Sequence, residues 1–168
     1  MNRPGSVLAT LCYLKRNGKT LMMHRVNKEN DIHEGKWNGL GGKFEAGETP
    51  EECVVREVRE EAGVDIVYPR FEGVLTFPRF ADSRDWYVFV FTCTDFEGEP
   101  LAESREGRLE WIEDENLLDL NLWEGDLHFL RWIEQPEFFS AKFEYRNGEL
   151  KNHSSHFYGF KTETGEEL

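Results

Sequence analysis

The chain has 168 residues, which suits one domain, and its hydrophobic fraction of 39%, with 13 Phe and 5 Trp, argues against a disordered polyanion. The formal net charge of −13 would repel DNA and RNA, so we expect no nucleic-acid polymer as a partner. A small phosphorylated ligand can still bind where metal cations neutralise the contact.

The first third of the chain predicts a β-hairpin, a loop and a short strand. Residues 6–16 are apolar and rich in strand formers, and the turn sequence NGK leads into a second strand, TLMMHRV. The polar segment NKENDIHEGK predicts a loop. Residues 37–48, WNGLGGKFEAGE, predict a short strand that is interrupted by glycines.

One helix is marked at both ends by its sequence. Thr49 and Glu52 form a capping-box pattern, with Pro50 at the first helical position. Gly63 is a typical C-terminal stop. These signals predict a helix from Pro50 to Ala62.

The remaining chain predicts three strands, a helix and a hairpin. The strands are 69–80, 85–93 and 107–112, and the second is apolar enough to be central in a sheet. Residues 125–135 have helical spacing and stop before a proline. Residues 138–160 predict a hairpin around RNGE. This order predicts an α/β fold with a mixed β-sheet covered by helices.

The three cysteines, Cys12, Cys53 and Cys93, predict buried thiols in a reducing compartment. They form no C-x-x-C pair, and each lies in an apolar or periodic stretch. The N-terminal apolar run is too short to span a bilayer and lacks a signal-peptide cleavage pattern. We therefore expect a cytoplasmic protein with no membrane partner.

Three glutamates share one side of the predicted helix. Val55, Val58 and Ala62 are expected to face the sheet, whereas the glutamates lie on another side at i, i+3 and i+4 spacing: Glu57, Glu60 and Glu61. Like charges at that spacing cost about 0.2–0.5 kcal/mol per pair. A solvated acidic face is one interpretation. The other is a divalent-cation site, because hard cations bind several carboxylate and carbonyl oxygens and the preceding Gly-Gly turn can bring carbonyls close.

The fixed residues of this region form a recognisable motif. Gly42, five residues, Glu48, seven residues and then REVREEAGV, residues 56–64, match the Nudix box at every fixed position. At about 7% usage per residue, this match would arise by chance on the order of once in a billion start positions. The chain therefore resembles the Nudix hydrolases, which have an α/β/α sandwich fold. The resemblance implies a single Nudix domain over residues 1–160, followed by a polar tail over 161–168.

The resemblance implies a metal site for Mg²⁺ or Mn²⁺. The three helical glutamates would bind the metal together with a backbone carbonyl of the Gly41-Gly42 turn. Glu106, in the segment AESREG, matches a loop glutamate that reaches the metals in relatives. Either Glu60 or Glu106 would act as the general base.

Other box residues would support this site. The resemblance implies that Arg56 orients the glutamates through charge-assisted hydrogen bonds, that Glu48 supports the junction of loop and helix, and that Gly63 ends the helix. Water would attack a phosphorus atom of a nucleoside diphosphate linked to another group. The metals would polarise the phosphoryl oxygens and neutralise charge in the transition state.

Weaker similarities indicate the MutT/MutX-type branch and its animal relatives, which hydrolyse oxidised purine nucleoside triphosphates such as 8-oxo-dGTP. They lie in HEGKWNGLGGK, GVLTFPRF, DWYVFVF, FEGEPLAESREG and WEGDLHFLRWI. The resemblance places four residues near the base: Asn38, Phe77, Trp123 and Asp126. A purine pocket needs aromatic walls and a few polar groups that read the base edges.

Each of these residues also has a structural interpretation. Phe77 and Trp123 can be core aromatics, Asn38 can be a turn residue, and Asp126 can be the N-cap of the last helix. Arg25, at the end of the second strand, contacts either a phosphate or only solvent.

The resemblance leaves the substrate open. Gly125 stands where the animal enzymes have a second acidic residue beside Asp126. The favoured expectation is metal-dependent hydrolysis of nucleoside triphosphates to monophosphate and pyrophosphate, with oxidised purines preferred. The alternatives are another Nudix substrate (a nucleotide sugar, a dinucleoside polyphosphate or an RNA 5′ end) and a non-catalytic nucleotide-binding module. The complete set of box glutamates argues against the last.

Overall fold

The computed structural model describes residues 5–27 and 29–160, so the predicted tail at 161–168 lies outside the described residues. Within them the chain forms ten strands, two α-helices and one 3-10 helix. The strands are β1 Val7–Arg16, β2 Lys19–His24, β3 Trp37–Asn38, β4 Asp65–Val67, β5 Arg70–Ala81, β6 Arg84–Cys93, β7 Asp95–Glu97, β8 Arg108–Glu113, β9 Glu137–Arg146 and β10 Glu149–Phe160. The helices are α1 Pro50–Ala62, the 3-10 helix Asp114–Asp119 and α2 Asp126–Trp132.

Eight strands form one mixed sheet. Its order is β10-β9-β5-β6-β1-β2-β3, and β8 pairs with β2. The pairs β1–β6 and β5–β9 are parallel, and the other pairs are antiparallel. Strand β6 lies between β5 and β1, as its apolar sequence predicts. A separate two-stranded sheet joins β4 to β7, and neither short strand was predicted.

Helix α1 has the predicted boundaries because both caps form. The Thr49 hydroxyl accepts a hydrogen bond from the Glu52 N–H at 3.1 Å, and the Glu52 carboxylate accepts one from the Thr49 N–H at 2.9 Å. Gly63 has φ 70° and its N–H donates to the Arg59 carbonyl. These two reciprocal bonds fix the residue at which α1 begins, and with it the positions of the glutamates along the helix.

The buried face of α1 differs by one position from the predicted face. Val58 and Ala62 are buried as expected, but Cys53 and Val54 complete the buried set, and Val55 is only partly buried. Val54, Val58 and Ala62 form an i, i+4 series, and this series faces the sheet more directly than Val55 does.

The core lies in two layers, one on each face of the sheet. Alternate residues of β1 enter opposite layers, with Cys12 packed beneath α1 and Tyr13 packed with Phe129 of α2. This arrangement confirms the predicted mixed sheet with helices on both faces. The three cysteines are all free and buried, as predicted. Of the helices described, none has the length and hydrophobicity needed to cross a membrane.

The C-terminal part of the fold contains the predicted helix and hairpin. Helix α2 is shorter than the predicted 125–135, and Gly125 is its N-cap, so the N-cap interpretation of Asp126 is wrong. Asn147 and Gly148 both have positive φ, as a two-residue turn between β9 and β10 requires. Strand β9 pairs in parallel with β5, and this pairing places the β9–β10 hairpin next to α2.

Candidate active site

A cleft of about 930 Å³ opens beside the loop that contains Gly41 and Gly42 and precedes α1, which we call the glycine loop. Two groups of side chains line it, and we name them by their character. The acidic end comprises Arg25, Asp31, Gly41, Gly42, Arg56, Glu57, Glu61 and Glu106. The aromatic end comprises His33, Asn38, Phe77, Phe80, Trp123, Asp126 and Tyr145. A cleft of this size can enclose a nucleotide-sized ligand.

The glycine loop packs too closely against its surroundings to carry side chains. A Cβ on Gly41, which has φ 151°, would lie 2.0 Å from the Thr10 carbonyl oxygen, and a Cβ on Gly42 would lie 2.5 Å from the Glu57 carboxylate. The Gly41 N–H donates to the Glu61 carboxylate at 3.3 Å. The Gly42 carbonyl accepts from the Thr10 N–H, whereas no hydrogen bond to the Gly41 carbonyl is found among the described residues. The Gly41 carbonyl is therefore the more available ligand for a cation.

Arg56 joins the loop to the helix. Its Nε and Nη2 donate to the two oxygens of Glu48 at 2.5 and 2.9 Å, and its Nη1 donates to Glu57 at 2.7 Å. The Arg56 guanidinium holds the pKa of Glu48 at about 2, with help from the Glu45 N–H. The contacts required for the predicted roles of Arg56 and Glu48 are present, and their effect on catalysis stays a prediction.

Glu57 and Glu61 are enclosed, whereas Glu60 is not. Burial is the main cause that raises the pKa of Glu61 to about 8, and the nearby charge of Glu106 adds to it. Burial also raises the pKa of Glu57. The Glu60 side chain is 58% exposed, contacts Arg56 at 3.4 Å and does not line the cleft. The structure thus brings two of the three helical glutamates to the acidic end.

Arg25 is bound by two acids in the acidic end. Its Nη1 donates to Glu106 at 2.6 Å, and its Nε and Nη2 donate to Asp31 at 2.9 and 2.5 Å. Burial alone would raise the pKa of Asp31, but the Arg25 hydrogen bonds outweigh it and lower that pKa. The interpretation of Arg25 as a residue that contacts only solvent is therefore wrong. Sequence reasoning missed Asp31, which lies in a polar loop with no motif around it.

The acidic end suits a divalent cation by its chemistry. Carboxylate and carbonyl oxygens are the ligands that Mg²⁺ and Mn²⁺ prefer, and a bound cation would offset the burial that raises the pKa of Glu57 and of Glu61. No three acidic, histidine or cysteine side chains of the described residues already surround one point. Glu57 instead contacts Arg56, and Glu106 contacts Arg25. Each of these contacts uses one carboxylate oxygen, which leaves the other oxygen of Glu57 and of Glu106 for a cation.

The aromatic end gathers rings from distant parts of the chain. Trp123 makes edge contacts with Phe80 and Tyr145, each at 5.4 Å between ring centroids, and Phe77 contacts Phe80 at 5.3 Å. The Trp123 Nε1–H donates to His33 Nδ1 at 2.8 Å, which fixes the orientation of the indole. Phe77 also packs against the core, as its interpretation as a core aromatic predicts, and its contact with a base stays a prediction. Sequence reasoning missed His33, Phe80 and Tyr145, which share no spacing pattern with Trp123.

Two polar side chains of the aromatic end lack a partner within the described chain. Asp126 is 7% exposed and its carboxyl makes no hydrogen bond among the described residues. Burial raises the pKa of Asp126 to about 8, although the charge of Lys36 opposes the shift. The Asn38 Nδ2 is buried without a hydrogen-bond partner. Asn38 lies in β3 opposite Met23, so its interpretation as a turn residue is wrong. Unpaired buried polar groups in a cleft favour a ligand that pairs with them.

Comparison with known families decides the class of the protein. The NUDIX domain model matches residues 5–133, which is most of the chain. The chain belongs to the Nudix family. It is a Nudix hydrolase, which hydrolyses pyrophosphate bonds in nucleotide substrates.

Individual relatives and structures support the same assignment. This Nudix hydrolase is 34% identical over 127 residues to the uncharacterized Nudix hydrolase YvcI of Bacillus subtilis, covering 74% of this chain and 77% of YvcI. It is 30% identical over 145 residues to the oxidized purine nucleoside triphosphate hydrolase of Danio rerio, covering 86% and 90%. The MutT protein of Bacillus halodurans superposes with a TM-score of 0.79 at 28% identity, over 89% of this chain and 97% of that chain. These findings confirm the predicted Nudix α/β/α sandwich and the MutT-type resemblance.

Proposed function

We propose that this Nudix hydrolase converts nucleoside triphosphates to monophosphate and pyrophosphate with Mg²⁺ or Mn²⁺, and that it prefers oxidised purine nucleotides such as 8-oxo-dGTP. One observation carries the proposal. A single cleft is lined at one end by the half-buried Glu57 and Glu61. At its aromatic end it is lined by the buried Asp126 and by Asn38, whose Nδ2 has no hydrogen-bond partner among the described residues. The phosphates and the base of one nucleotide need these two kinds of surface together.

The acidic end would hold the metal and the phosphates. Glu57, Glu61 and Glu106 would bind the cation together with the Gly41 carbonyl, and the bound metal would polarise the phosphoryl oxygens and neutralise charge in the transition state. Glu60, the other predicted metal ligand, is exposed and lies against Arg56, which in turn contacts Glu57. Glu106 and Glu60 are the two candidates for the general base. Glu106 is the better placed, because it lines the cleft and Glu60 does not. If Glu106 turned toward the cation, the Nη1 of Arg25 would be left for a phosphate, while its Nε and Nη2 stay with Asp31.

The aromatic end would hold the base. Trp123 and Phe77 offer flat apolar surfaces, and the hydrogen bond from Trp123 to His33 holds the indole in place. Asp126 keeps its proton at neutral pH, since burial raises its pKa to about 8, so it can both donate and accept. The Asn38 amide has the same double capacity. The relative from Danio rerio is an oxidized purine nucleoside triphosphate hydrolase, which supports this proposal.

The biological setting follows from the chemistry. Three buried free thiols suit a reducing compartment, and we place the enzyme in the cytoplasm. Hydrolysis of oxidised nucleotides there would remove them from the pool used for DNA synthesis, which is a nucleotide-sanitising role that protects DNA.

A nucleotide panel tests the proposal. At fixed Mg²⁺, we expect kcat/KM for 8-oxo-dGTP to exceed that for dGTP by about tenfold or more, with pyrophosphate as the second product. Nucleotide sugars, dinucleoside polyphosphates and triphosphorylated RNA ends are the comparison substrates. Equal, slow turnover of dGTP and 8-oxo-dGTP would contradict the sanitising role. Faster turnover of a comparison substrate would identify that compound as the better substrate.

A further inference from the structure

Tyr145 brings the C-terminal hairpin into the aromatic end of the cleft. It lies on β9, beyond residue 133, where the match to the NUDIX domain ends. Its ring makes edge contacts with Trp123 at 5.4 Å and with Phe80 at 5.5 Å, and it contacts Phe77 at 6.3 Å. Three aromatic neighbours leave the ring little freedom, so the position of its hydroxyl is fixed.

The hydroxyl of Tyr145 lies against the backbone at the start of α2. The Gly125 N–H donates to the Tyr145 oxygen at 2.7 Å, which satisfies an N–H group at the helix N-terminus. A Cβ on Gly125 would lie 2.8 Å from that oxygen and 3.1 Å from the buried Phe143 ring. Glycine at position 125 therefore lets the hydroxyl occupy the space beside Asp126 that a side chain at this position would take.

The bond from Gly125 leaves the hydroxyl proton of Tyr145 for a ligand. A phenol has one proton to donate, and among the described residues no acceptor for it is found. Burial, more than the charges of Asp126 and Glu124, raises the pKa of Tyr145 above its usual value, so the hydroxyl stays protonated at physiological pH. Its oxygen already accepts one bond, so donation is the role that remains unfilled.

We propose that the Tyr145 hydroxyl is a base-reading hydrogen-bond donor that selects 6-oxopurines over 6-aminopurines, an assignment that rests on the proposed function of the same cleft. The substituent at C6 is an acceptor oxygen in guanine and hypoxanthine and a donor amino group in adenine. A fixed donor pairs with the first and opposes the second. Asp126 and Asn38 can each donate or accept, so they discriminate less sharply at this atom.

The test compares the binding of dIMP and dAMP, which differ in the C6 substituent and in the proton that hypoxanthine carries on N1, and which need neither metal nor turnover to bind. Loss of hydrolytic activity, which would refute the proposed function, is thus separable from loss of base selection. We expect the parent protein to bind dIMP about 3- to 10-fold more tightly than dAMP, and Tyr145→Phe to reduce the ratio of dissociation constants to within about twofold. Tyr158→Phe, which removes an exposed hydroxyl from the neighbouring strand, is the control and should leave the ratio unchanged.

The ratio separates base reading from a purely structural role. The ratio does not depend on the folded fraction, so a modest loss of stability from the unpaired Gly125 N–H does not disturb it. Equal weakening of dIMP and dAMP in Tyr145→Phe, or a parent protein with no preference for dIMP, would overturn the proposal. A loss that appears only in the preference for 8-oxo-dGMP over dGMP would also overturn the assignment to C6.

Discussion

Replacement of Asp126 by asparagine should stabilise the protein, and by more as the pH rises. Burial raises the pKa of Asp126 from its ordinary 3.8 to about 8, so the folded state keeps a proton that the unfolded chain releases between those values. A group with a raised pKa contributes its stability in full at low pH and loses it as the pH rises through the folded pKa. Asparagine does not ionise, so the free energy of unfolding of the variant does not fall with pH through this site.

The size of the effect follows from the pKa difference. The two values for Asp126 differ by 8 − 3.8 = 4.2. At about 1.36 kcal/mol per pH unit, the free energy of unfolding of the parent could fall by at most about 6 kcal/mol between pH 4 and pH 8. Because Asp126 borders the open cleft, water should reduce the change, and we expect the Asp126→Asn protein to gain about 2–4 kcal/mol over this range.

Urea unfolding in EDTA at pH 4, 6 and 8 measures this gain. The difference between parent and variant cancels the titration of every other group, including the box glutamates. Asp119→Asn, at an exposed aspartate of the 3-10 helix, is the matched control and should show a constant difference. A difference between the parent and Asp126→Asn that does not change with pH would mean that Asp126 ionises normally in the folded state and that burial does not raise its pKa.

Three further substitutions test the loop and helix that carry the glutamates. Arg56→Lys loses the paired bonds to Glu48 and should lower the free energy of unfolding by about 1–3 kcal/mol in urea titrations, with a lower kcat. Gly41→Ala puts a Cβ 2.0 Å from the Thr10 carbonyl oxygen and should cost more than about 3 kcal/mol, seen as a fall in Tm above about 10 °C. Thr49→Ala removes the N-cap bond and should cost about 1 kcal/mol in the same melts with kcat/KM unchanged.

Each substitution has an outcome that contradicts its premise. If Arg56→Lys matches the parent in stability and kcat, the bonds to Glu48 are dispensable. A Gly41→Ala protein with normal Tm would show that the loop can move away from β1. A Thr49→Ala protein that keeps its stability but loses activity would mean that this cap acts on the site and not on the helix.

Helix α1 could be predicted from sequence to the residue because its signals are local. The capping box, Pro50 and Gly63 act within one turn of each end. The exposure of Glu60 could not be predicted in this way. At 100° per residue, Glu60 and Glu61 lie on opposite sides of Glu57, and only the position of the sheet decides which of them enters the cleft.

The aromatic end and the Arg25 contacts depend on tertiary packing. His33 meets Trp123 across 90 positions of sequence, and Arg25 meets Glu106 across 81. No periodicity connects residues at such separations. Asp126 was named from resemblance, but its protonation at neutral pH follows from burial, which the sequence does not encode locally.

The role of the cleft glutamates is tested most directly by metal-dependent turnover in Glu61→Gln. We expect the parent to hydrolyse 8-oxo-dGTP to 8-oxo-dGMP and pyrophosphate only with Mg²⁺ or Mn²⁺. We expect Glu61→Gln, while folded by circular dichroism, to lose about 100-fold or more in kcat. Glu115→Gln, at an exposed glutamate of the 3-10 helix, should stay within about twofold of the parent. Full metal-dependent turnover by Glu61→Gln would show that Glu61 does not hold the catalytic metal.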